Sequence, residues 1–236
     1  MAKPIALVTG ASRGIGRAIA GRLAPDYEIV AAARSAPDLD RLASDIRAGG
    51  GTCTPVPVDL TDSTAIARAL NGLEADVLVN NAGVGVMKPL LEMTPEEWHR
   101  QVDLNFNALY HVTRAVLPGM VSRRRGHVVI VGSISGRSTY AGGTAYTGTK
   151  HAVMAFAECL LLEVRDQGVK VSVVNPGSVA TEFGGSDPAS KGGWALRAED
   201  VADSVAFALS TPPNVLVHRM EVRALSKVKP APAGGP

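Results

Sequence analysis

Short apolar runs alternate along the chain with segments in which apolar side chains recur every three or four residues. Short apolar runs favour buried strands, and the longer period favours amphipathic helices. The pattern predicts strands over residues 4–9, 28–33, 53–58, 76–79, 127–131, 169–174 and 215–222. Because strands that alternate with helices form right-handed βαβ units, we expect an α/β fold with a parallel sheet.

Helices are expected between these strands. They cover residues 17–24, 39–47, 61–70, 144–166 and 199–209, and a further helix begins at 95. That helix has a strong start, because Thr94 is a capping residue, Pro95 suits the first helical position and Glu97 completes a capping box. Asn105 lies inside the same helix, although asparagine is a mediocre helix former. Exposure to solvent is the simplest explanation for it.

Nothing in the sequence divides the chain into two domains. We find no internal repeat and no linker, so residues 1–226 are expected to form a single domain. Residues 182–197 are rich in Gly and Ser and contain few large apolar groups, which suggests a mobile substrate lid. The Pro/Ala/Gly-rich residues 227–236 are expected to form a flexible tail.

Composition narrows the possible functions. The net charge is +2 without charged blocks, and only 4% of the residues are aromatic, which argues against a nucleic-acid-binding surface. The basic run 123–125 is interpreted as a solvated helix end. The five histidines are scattered along the chain, so a metal site has little support.

The protein is expected to be cytoplasmic. No apolar run approaches the ~20 residues that a membrane-spanning helix needs, and Gly10, Ser12 and Arg13 interrupt any signal-like core near the N-terminus. The two cysteines, Cys53 and Cys159, do not make a disulfide framework. Both are expected to be buried small hydrophobes.

A glycine-rich turn joins the first strand to the first helix. Its glycines are Gly10, Gly14 and Gly16, with the spacing G-x-x-x-G-x-G. Such a turn leaves backbone N–H groups free at the positive end of the helix dipole, and it therefore predicts an anion site. The spacing matches neither the P-loop nor the common G-x-G-x-x-G dinucleotide pattern.

The stretch 146–150 contains candidate acid–base chemistry. A helix over 144–166 places Tyr146 and Lys150 four residues apart on one face, and a nearby cation would stabilise a phenolate and lower the tyrosine pKa. Ser133 follows the strand 127–131, so it lies at the carboxyl end of that strand, where open α/β sheets bind ligands. A helix that carries Tyr and Lys at this spacing by chance is the structural alternative.

Together these pieces resemble the short-chain dehydrogenase/reductase family over about residues 4–222. The motifs that carry the resemblance are Thr9-Gly10 with Gly14-Ile15-Gly16, Asp59, Asn80-Asn81-Ala82-Gly83, Asn105, Ser133, Tyr146 with Lys150, and Pro176-Gly177 followed by Thr181. Their order along the chain makes the resemblance specific. It implies a single Rossmann-type, doubly wound domain, with a seven-stranded parallel sheet flanked by helices, and a nicotinamide dinucleotide cofactor.

The resemblance also implies roles for single residues. Tyr146 would be the general acid in carbonyl reduction and the base in alcohol oxidation, and Ser133 would hydrogen-bond the substrate oxygen. Lys150 would lower the Tyr146 pKa and bind the nicotinamide ribose. Asn105 would hold a water in a proton relay to Lys150, which would explain an asparagine inside a helix.

A larger set would bind the cofactor. Asp59 would bind the adenine amino group, Asn81 and Gly83 would shape the wall beside the adenine ribose, and Thr181 with the backbone after Pro176 would hold the nicotinamide amide. The complete predicted cofactor set is Gly10, Ser12, Arg13, Gly14, Ile15, Gly16, Arg34, Asp59, Leu60, Asn81, Ala82, Gly83, Tyr146, Lys150, Pro176, Gly177, Val179 and Thr181.

The end of the second strand predicts a preference for NADP(H) over NAD(H). In a doubly wound fold this end lies beside the adenosine ribose, where an acidic residue would accept hydrogen bonds from the hydroxyls and repel a 2′-phosphate. Ala33 offers no such acceptor, and no carboxylate appears before Asp38. Arg34 offers a planar, charged fork that suits phosphate, and Arg13 in the adjacent loop would close on the same group.

The expected function is an NADP(H)-dependent oxidoreductase that interconverts a carbonyl and a secondary alcohol on a small substrate. A 3-oxoacyl-carrier-protein reductase is an alternative. Many relatives end their last strand with Asp-Gly-Gly, whereas this chain has residues 220–223 as Met-Glu-Val-Arg, and its lid is short. Both departures weaken that alternative and favour small hydroxy acids, hydroxy amino acids or assorted carbonyls.

Two further readings remain open. A catalytically silent dinucleotide-binding sensor is one, and the intact set of Ser133, Tyr146, Lys150 and Asn105 argues against it. A serine hydrolase would need G-x-S-x-G, which the sequence of residues 132–136 misses because an isoleucine stands at the serine position. Arg137 and residues 84–87 could line the substrate pocket, although a structural ion pair is the simpler role for Arg137.

One unusually apolar helix leads us to expect an oligomer. The helix over 144–166 is apolar almost all round, so one side can pack on the sheet while the other needs another cover. The helix from Pro95 is also broadly apolar. We expect both to pair with their symmetry mates about a two-fold axis, and the family resemblance points to a homotetramer.

Overall fold

The computed structural model describes residues 2–191 and 193–226, and the predicted tail over 227–236 lies outside them. The strands are β1 (Ile5–Thr9), β2 (Glu28–Ala33), β3 (Thr52–Pro57), β4 (Val77–Asn80), β5 (Gly126–Val131), β6 (Val169–Pro176) and β7 (Arg219–Val222). The α-helices are α1 (Gly14–Leu23), α2 (Ala36–Ala48), α3 (Ser63–Ala69), α4 (Pro95–Val102), α5 (Ala108–Ser122), α6 (Thr144–Val164) and α7 (Ala198–Leu209). Within the described ranges, no helix combines the length and apolarity needed to cross a membrane.

All seven strands belong to one sheet, in the order β3-β2-β1-β4-β5-β6-β7, and every neighbouring pair is parallel. The strand order reverses between β1 and β4, so the carboxyl ends of these two strands flank the crevice at which such sheets bind ligands. The predicted seven-stranded, doubly wound parallel sheet of the Rossmann type is confirmed.

Helices cover both faces of the sheet, which is why its strands are continuous apolar runs in the sequence. Leu7 and Val8 are adjacent on β1, and both have no exposed surface. Val8 packs in a core that includes Ile19 of α1, whereas Leu7 packs in the opposite core, which includes Met120 of α5. The strand ends that carry the functional loops are therefore anchored from both sides.

The helix predicted from residue 95 is interrupted. α4 begins with the predicted capping box, in which Thr94 and Glu97 bond each other's backbone. Residues Asp103–Asn107 then form a π-helical turn before α5 begins. Such bulges are frequent at functional sites. Asn105 lies in this turn with 3% of its surface exposed, so the expected exposure to solvent is wrong.

The last strand is shorter than the predicted 215–222, because its first half is a loop held by a lysine. Lys170 of β6 donates to the backbone oxygens of Pro212 and Val215, both at 2.6 Å. The Val215 oxygen is thus satisfied by a side chain rather than by a neighbouring strand. Regular pairing with β6 begins only at Arg219.

Two expectations about single side chains also fail. The basic run at the end of α5 is not simply solvated, because Arg123 donates to a backbone oxygen just before β4 at 2.8 Å and Arg125 pairs with Asp76 at 2.8 Å. Cys53 is buried as expected, but Cys159 on α6 is exposed. Its position on the uncovered face of α6 explains the difference.

A buried histidine links β5 to β6. His127 is 7% exposed, and its Nε2 lies 2.8 Å from the hydroxyl of Ser172. That hydroxyl donates its hydrogen to the backbone oxygen of Val217 at 2.6 Å. It therefore accepts the hydrogen bond from Nε2 of His127. Burial, helped by the charge of Lys170, lowers the pKa of His127 to about 4.

We predict that the fold loses stability as the pH falls through the interval from about 6.5, the ordinary histidine pKa, to about 4. In this interval the unfolded chain binds a proton at residue 127 that the folded chain does not, so acid favours unfolding. At ~1.4 kcal/mol per pKa unit, His127 accounts for a loss of about 2.5 kcal/mol by pH ~4.5.

Urea unfolding of the parent and of His127→Gln, near neutral pH and at pH ~4.5, measures this loss. The variant should show a shallower fall than the parent, whereas His99→Gln, at an exposed position, should match the parent. Equal falls in the parent and in His127→Gln would contradict the assignment.

Candidate active site

The carboxyl ends of four strands meet around one cavity of about 510 Å³. Gly10 follows β1, Asn81 follows β4, Ser133 follows β5, and Pro176 ends β6. A cavity of this size accommodates a small molecule or cofactor. Its position is the one at which open α/β sheets bind ligands.

Most of the predicted site residues line this cavity. They are Gly10, Ser12, Arg13, Gly14, Ile15, Arg34, Leu60, Asn81, Ala82, Gly83, Ser133, Tyr146, Lys150, Pro176, Gly177, Val179 and Thr181. Gly16, Asp59 and Asn105 are outside the lining. A wider groove of about 670 Å³ behind α1 contains neither Ser133 nor Tyr146, so the chemistry belongs to the first cavity.

The glycine-rich turn approaches the loop after β4 at backbone-contact distance. Gly10 has a φ of +66°, and a Cβ there would lie 2.9 Å from the Cα of Ala82. A Cβ on Gly16 would lie 2.2 Å from the backbone oxygen of Gly10, so Gly16 shapes the turn from behind the cavity. α1 begins at Gly14, earlier than predicted, and no side chain caps its N-terminus. Its first amides therefore remain available to an anion.

A threonine that the sequence analysis did not place in the site ties these loops together. The Thr9 hydroxyl accepts hydrogen bonds from the backbone amides of Asn81 and Ala82 at 3.0 and 3.1 Å. In return, the Asn81 side chain donates to the backbone oxygen of Thr9 at 2.9 Å. Asn81 therefore holds the glycine turn in place in addition to lining the cavity. Thr9 preceded Gly10 in the recognised motif, which was the available signal for its role.

Asn105 supports the cavity wall from inside the protein. Its Oδ1 accepts from the Val84 amide at 2.7 Å, and its Nδ2 donates to the Val84 oxygen at 2.9 Å. The same Nδ2 donates to the Thr149 hydroxyl on α6 at 3.1 Å. The asparagine thus fixes the loop after β4 relative to the helix that carries Tyr146 and Lys150.

Ser133, Tyr146 and Lys150 come together at the base of the cavity. Ser133 caps the short turn Ile134–Gly136, and its hydroxyl accepts from the Ser135 amide at 3.1 Å. The Ser133 hydroxyl also hydrogen-bonds the Tyr146 side chain. Lys150 lies one helical turn further along α6, with Nζ 5.9 Å from the centre of the Tyr146 ring and donating to the Val131 oxygen at 3.1 Å.

Burial controls the protonation of this pair. It raises the pKa of Tyr146 to about 12, with the hydrogen bond to Ser133 acting in the opposite direction. Burial also lowers the pKa of Lys150 to about 8. The expected lowering of the Tyr146 pKa by Lys150 is therefore not found, because the lysine lies beside the ring and bonds the Val131 oxygen. Tyr146 is a neutral phenol near pH 7, which is the form that donates a proton.

Two arginines stand at the other end of the cavity. Arg13 and Arg34 are exposed, and within the described residues neither guanidinium forms an ion pair or a hydrogen bond, although the charge of Arg34 acts on Asp59. Asp38 lines the same end. A hydrogen bond from Ser35 and the ion pair with Arg41 hold its carboxylate and lower its pKa. The guanidinium groups of Arg13 and Arg34 therefore remain available to an anion at this end of the cavity.

Asp59 does not reach the cavity lining. Its Oδ1 accepts from the backbone amide and the hydroxyl of Thr61 at 2.9 and 2.8 Å. These hydrogen bonds, the backbone one first, and the charge of Arg34 lower the pKa of Asp59. The aspartate is therefore an anion that caps its own turn, next to the cavity rather than in it.

Residues 4–191, well over half of the chain, match the short chain dehydrogenase family. The chain belongs to this family. It is 32% identical to the NADP-dependent 3-hydroxy acid dehydrogenase YdfG of Escherichia coli (strain K12), over 94% of this chain and 96% of the relative. It is 31% identical to a serine 3-dehydrogenase of Rhizobium radiobacter, over 94% of each chain.

Solved structures agree with this membership. The closed form of a serine dehydrogenase complexed with NADP+ superimposes with a TM-score of 0.88 at 32% identity, over 98% of each chain. A 3-oxoacyl-[acyl-carrier protein] reductase from Brucella melitensis ATCC 23457 gives a TM-score of 0.85 at 30% identity, over 94% of this chain and 90% of that one.

This short-chain dehydrogenase has cavity residues that its sequence did not single out. They are Ser35, Val58, Leu104, Val131, Gly132, Ile134, Ser135, Tyr140, Ser178, Glu182, Phe183 and Lys191. Most of them neighbour a recognised motif, which was the only signal available. Ala33 and Asp38, which the sequence analysis considered beside the ribose, line the cavity as well. Met87 lines the cavity as considered. Arg137 does not, and its guanidinium lies 3.5 Å from the Glu221 carboxylate, which agrees with a structural ion pair.

Proposed function

We propose that the protein is an NADP(H)-dependent oxidoreductase that interconverts a carbonyl and a secondary alcohol on a small substrate by hydride transfer, with Tyr146 as acid and base. The observation that carries the proposal is the meeting of Ser133, Tyr146 and Lys150 at the base of the cavity that also contains the glycine turn. One cavity thus joins a proton donor to an anion-binding backbone.

The residues around this cavity fit a dinucleotide. The turn at Gly10 and Gly16 has no room for a Cβ, and the uncapped start of α1 offers amides to a phosphate. The backbone after Pro176 and Thr181 line the same cavity as Tyr146 and would hold the nicotinamide. When bound, the nicotinamide supplies a hydride in reduction and accepts one in oxidation.

In the reducing direction, Ser133 and Tyr146 act on the carbonyl oxygen. The Ser133 hydroxyl accepts from the Ser135 amide, and it can donate its own proton to the carbonyl oxygen, on which charge develops, in place of the Tyr146 phenol. Tyr146 then donates its phenolic proton, and the alcohol forms. In the oxidising direction the same phenol oxygen receives the proton.

Lys150 and Asn105 would return the proton from solvent. Both residues border a small cavity of about 10 Å³ that also touches Asn80 and Thr9. A single water needs at least ~10–15 Å³ and two to four polar partners, so this space meets the minimum. We infer that Asn105 holds a water there, and that Lys150, whose pKa is lowered to about 8, passes protons to Tyr146.

For the substrate we propose a small hydroxy acid or the corresponding oxo acid. The supporting observations are the relatives named for 3-hydroxy acids and for serine and the short segment between β6 and α7. A 3-oxoacyl-carrier-protein reductase is the alternative, supported by the similarity to a structure of that name. Comparing kcat/KM for small 3-oxo acids with kcat/KM for 3-oxoacyl-carrier-protein thioesters separates the two functions. Faster turnover of the free acids favours the first, and faster turnover of the thioesters favours the second.

We predict that Tyr146→Phe lowers kcat by roughly 10²–10⁴-fold, the range that positioned acid–base catalysis supplies. The ring and its packing remain, so NADPH affinity should change little. NADPH oxidation with a panel of oxo acids and ketones measures turnover, and Tyr27→Phe, a half-buried tyrosine outside the cavity, is the matched control. Near-normal turnover in folded Tyr146→Phe would refute the mechanism.

The cofactor preference rests on Arg13 and Arg34, whose side chains are exposed at the cavity. Ala33 ends β2 without an acceptor for the ribose hydroxyls, and Arg34 and Arg13 line the cavity next to it. A 2′-phosphate there would receive hydrogen bonds from both guanidinium groups, each worth about 1.5–3 kcal/mol and less in contact with water. We infer a preference for NADPH on the order of tenfold to a few hundredfold.

We predict that Arg34→Ala removes most of this preference, because it weakens NADPH binding and leaves NADH binding nearly unchanged. The measurement is kcat/KM for each cofactor at fixed salt, in the parent, in Arg34→Ala and in the control Arg68→Ala on the exposed face of α3. A parent that prefers NADH, or a cofactor ratio that Arg34→Ala leaves unmoved, would show that this end of β2 does not bind the phosphate.

We propose that α5 and α6 assemble the protein into a homotetramer, or at least a homodimer. Leu162 of α6 and Tyr110 of α5 are 64% and 47% exposed, although both are large apolar groups. Phe156 and Leu161, in contrast, pack partly against the core. The uncovered face of α6 is therefore centred on Leu162 and Cys159 rather than on these two.

We predict that Leu162→Glu shifts the protein toward monomer, because a charge would be buried without a partner in the interface. Light scattering at micromolar concentration measures the molecular mass, and Leu225→Glu, which is fully exposed near the end of the described chain, is the control. A parent that is already a stable monomer would exclude the assembly.

We also infer that residues 1–226 work as a single catalytic domain with a lid near 182–197. A shortened chain that ends at residue 226 should keep the activity, and measuring its turnover tests this inference.

The two free thiols support a cytoplasmic location, because oxidising compartments favour disulfides. Cell fractionation tests this.

A further inference from the structure

Phe183 lies on the lid and contacts the catalytic tyrosine. It begins the short turn Phe183–Gly185 that follows β6. Its ring centre lies 5.6 Å from that of Tyr146, and the two ring planes make an angle of 58°. Such a tilted pair at this separation is a favourable aromatic contact. Phe183 nevertheless has 37% of its surface exposed, so one side of the ring faces the cavity and solvent.

The opposite side of the ring fits against a glycine. A Cβ on Gly85 would lie 2.6 Å from Cε1 and 3.0 Å from Cζ of Phe183. The same Cβ would lie 3.1 Å from Cε of Met87. The ring therefore occupies space that any other residue at 85 would fill, between the loop after β4 and the ring of Tyr146.

Backbone contacts hold Phe183 at this position. The Ser186 hydroxyl donates to the Phe183 oxygen at 2.7 Å, and Lys191 donates to the Val179 oxygen at 2.5 Å. Gly184 and Gly185, with φ of 68° and 77°, turn the chain sharply after the ring. A Phe183 ring that moved out of the cavity would have to break the contact with Gly85 as well as that with Tyr146.

We propose that Phe183, seated on Gly85, is a specificity-determining residue that closes the cavity beside Tyr146 and admits only carbonyl compounds with a short substituent on that side. This inference rests on the proposed oxidoreductase function. A longer acyl chain would overlap the ring, and a packed side chain yields only at a cost. Met87 and Tyr140 line the same cavity, but within the described residues the aromatic ring that packs against Tyr146 is that of Phe183.

The test compares two neutral substrates of different length, ethyl 3-oxobutanoate and ethyl 3-oxooctanoate, in NADPH oxidation. We expect the parent to prefer the shorter ester by at least about tenfold in kcat/KM, since a single misfitting methylene group is worth about that much or more. Phe183→Ala should reduce the preference to less than about threefold, and Phe183→Leu should give an intermediate value. Phe207→Ala, an exposed phenylalanine on α7 outside the cavity, should keep the parent's ratio.

The possible failures are distinguishable. A parent that reduces both esters equally well, or a Phe183→Ala variant that keeps the parent's ratio, overturns the size limit and leaves the oxidoreductase function standing. An equal loss of both activities in Phe183→Ala assigns the ring to lid closure alone, and it also overturns the inference. A folded parent without turnover of any carbonyl panel member, with either cofactor, refutes the function and the inference together.

Discussion

The structure depends on a backbone contact that only glycine permits. The turn after β1 lies so close to the loop after β4 that a Cβ on Gly16 would reach 2.5 Å from Nδ2 of Asn81, and a Cβ on Gly10 would reach 2.9 Å from the Cα of Ala82. The Thr9 hydroxyl and the Asn81 amide then cross-link the two strand ends. This contact fixes the start of α1 relative to the end of β4, and β5 pairs with β4. Together they set how far an anion held by α1 lies from Ser133 and Tyr146.

The same region buries more polar groups than a stable core would require. Asn105 and Lys150 are 3% and 7% exposed, yet each has a backbone oxygen as partner, at 2.9 and 3.1 Å. A buried ammonium without a carboxylate is disfavoured, and its pKa falls to about 8 accordingly. Such departures from ordinary core chemistry concentrate at functional sites, and within the described chain these two adjoin the proton donor.

The fold could be predicted from the sequence because the local signals within each segment agree with the global fold. Apolar runs, capping residues and glycine spacing located every strand, and the start of every α-helix except α5, to within a few residues, and the motif order located the cavity. What failed was set by tertiary contacts. Lys170 shortens β7 by taking the Val215 oxygen, the π-helical turn buries Asn105, and burial raises the Tyr146 pKa where a simple charge argument lowers it. None of these depends on a pattern within one segment.

The site has two parts: catalytic residues held by the sheet and α6, called the floor, and a loop residue, Phe183, that closes one side of the cavity. Ser133 follows β5, and Tyr146 and Lys150 lie on α6; the positions of this strand and this helix are set by strand pairing and by packing against the core. Phe183 lies in the loop between β6 and α7, in a turn with two glycines of positive φ, and sequence changes in such a loop disturb no ladder of hydrogen bonds. Chemistry and selectivity therefore rest on different parts of the chain. A change of substrate needs only a different residue opposite Gly85, whereas a change of reaction would have to alter the packed floor.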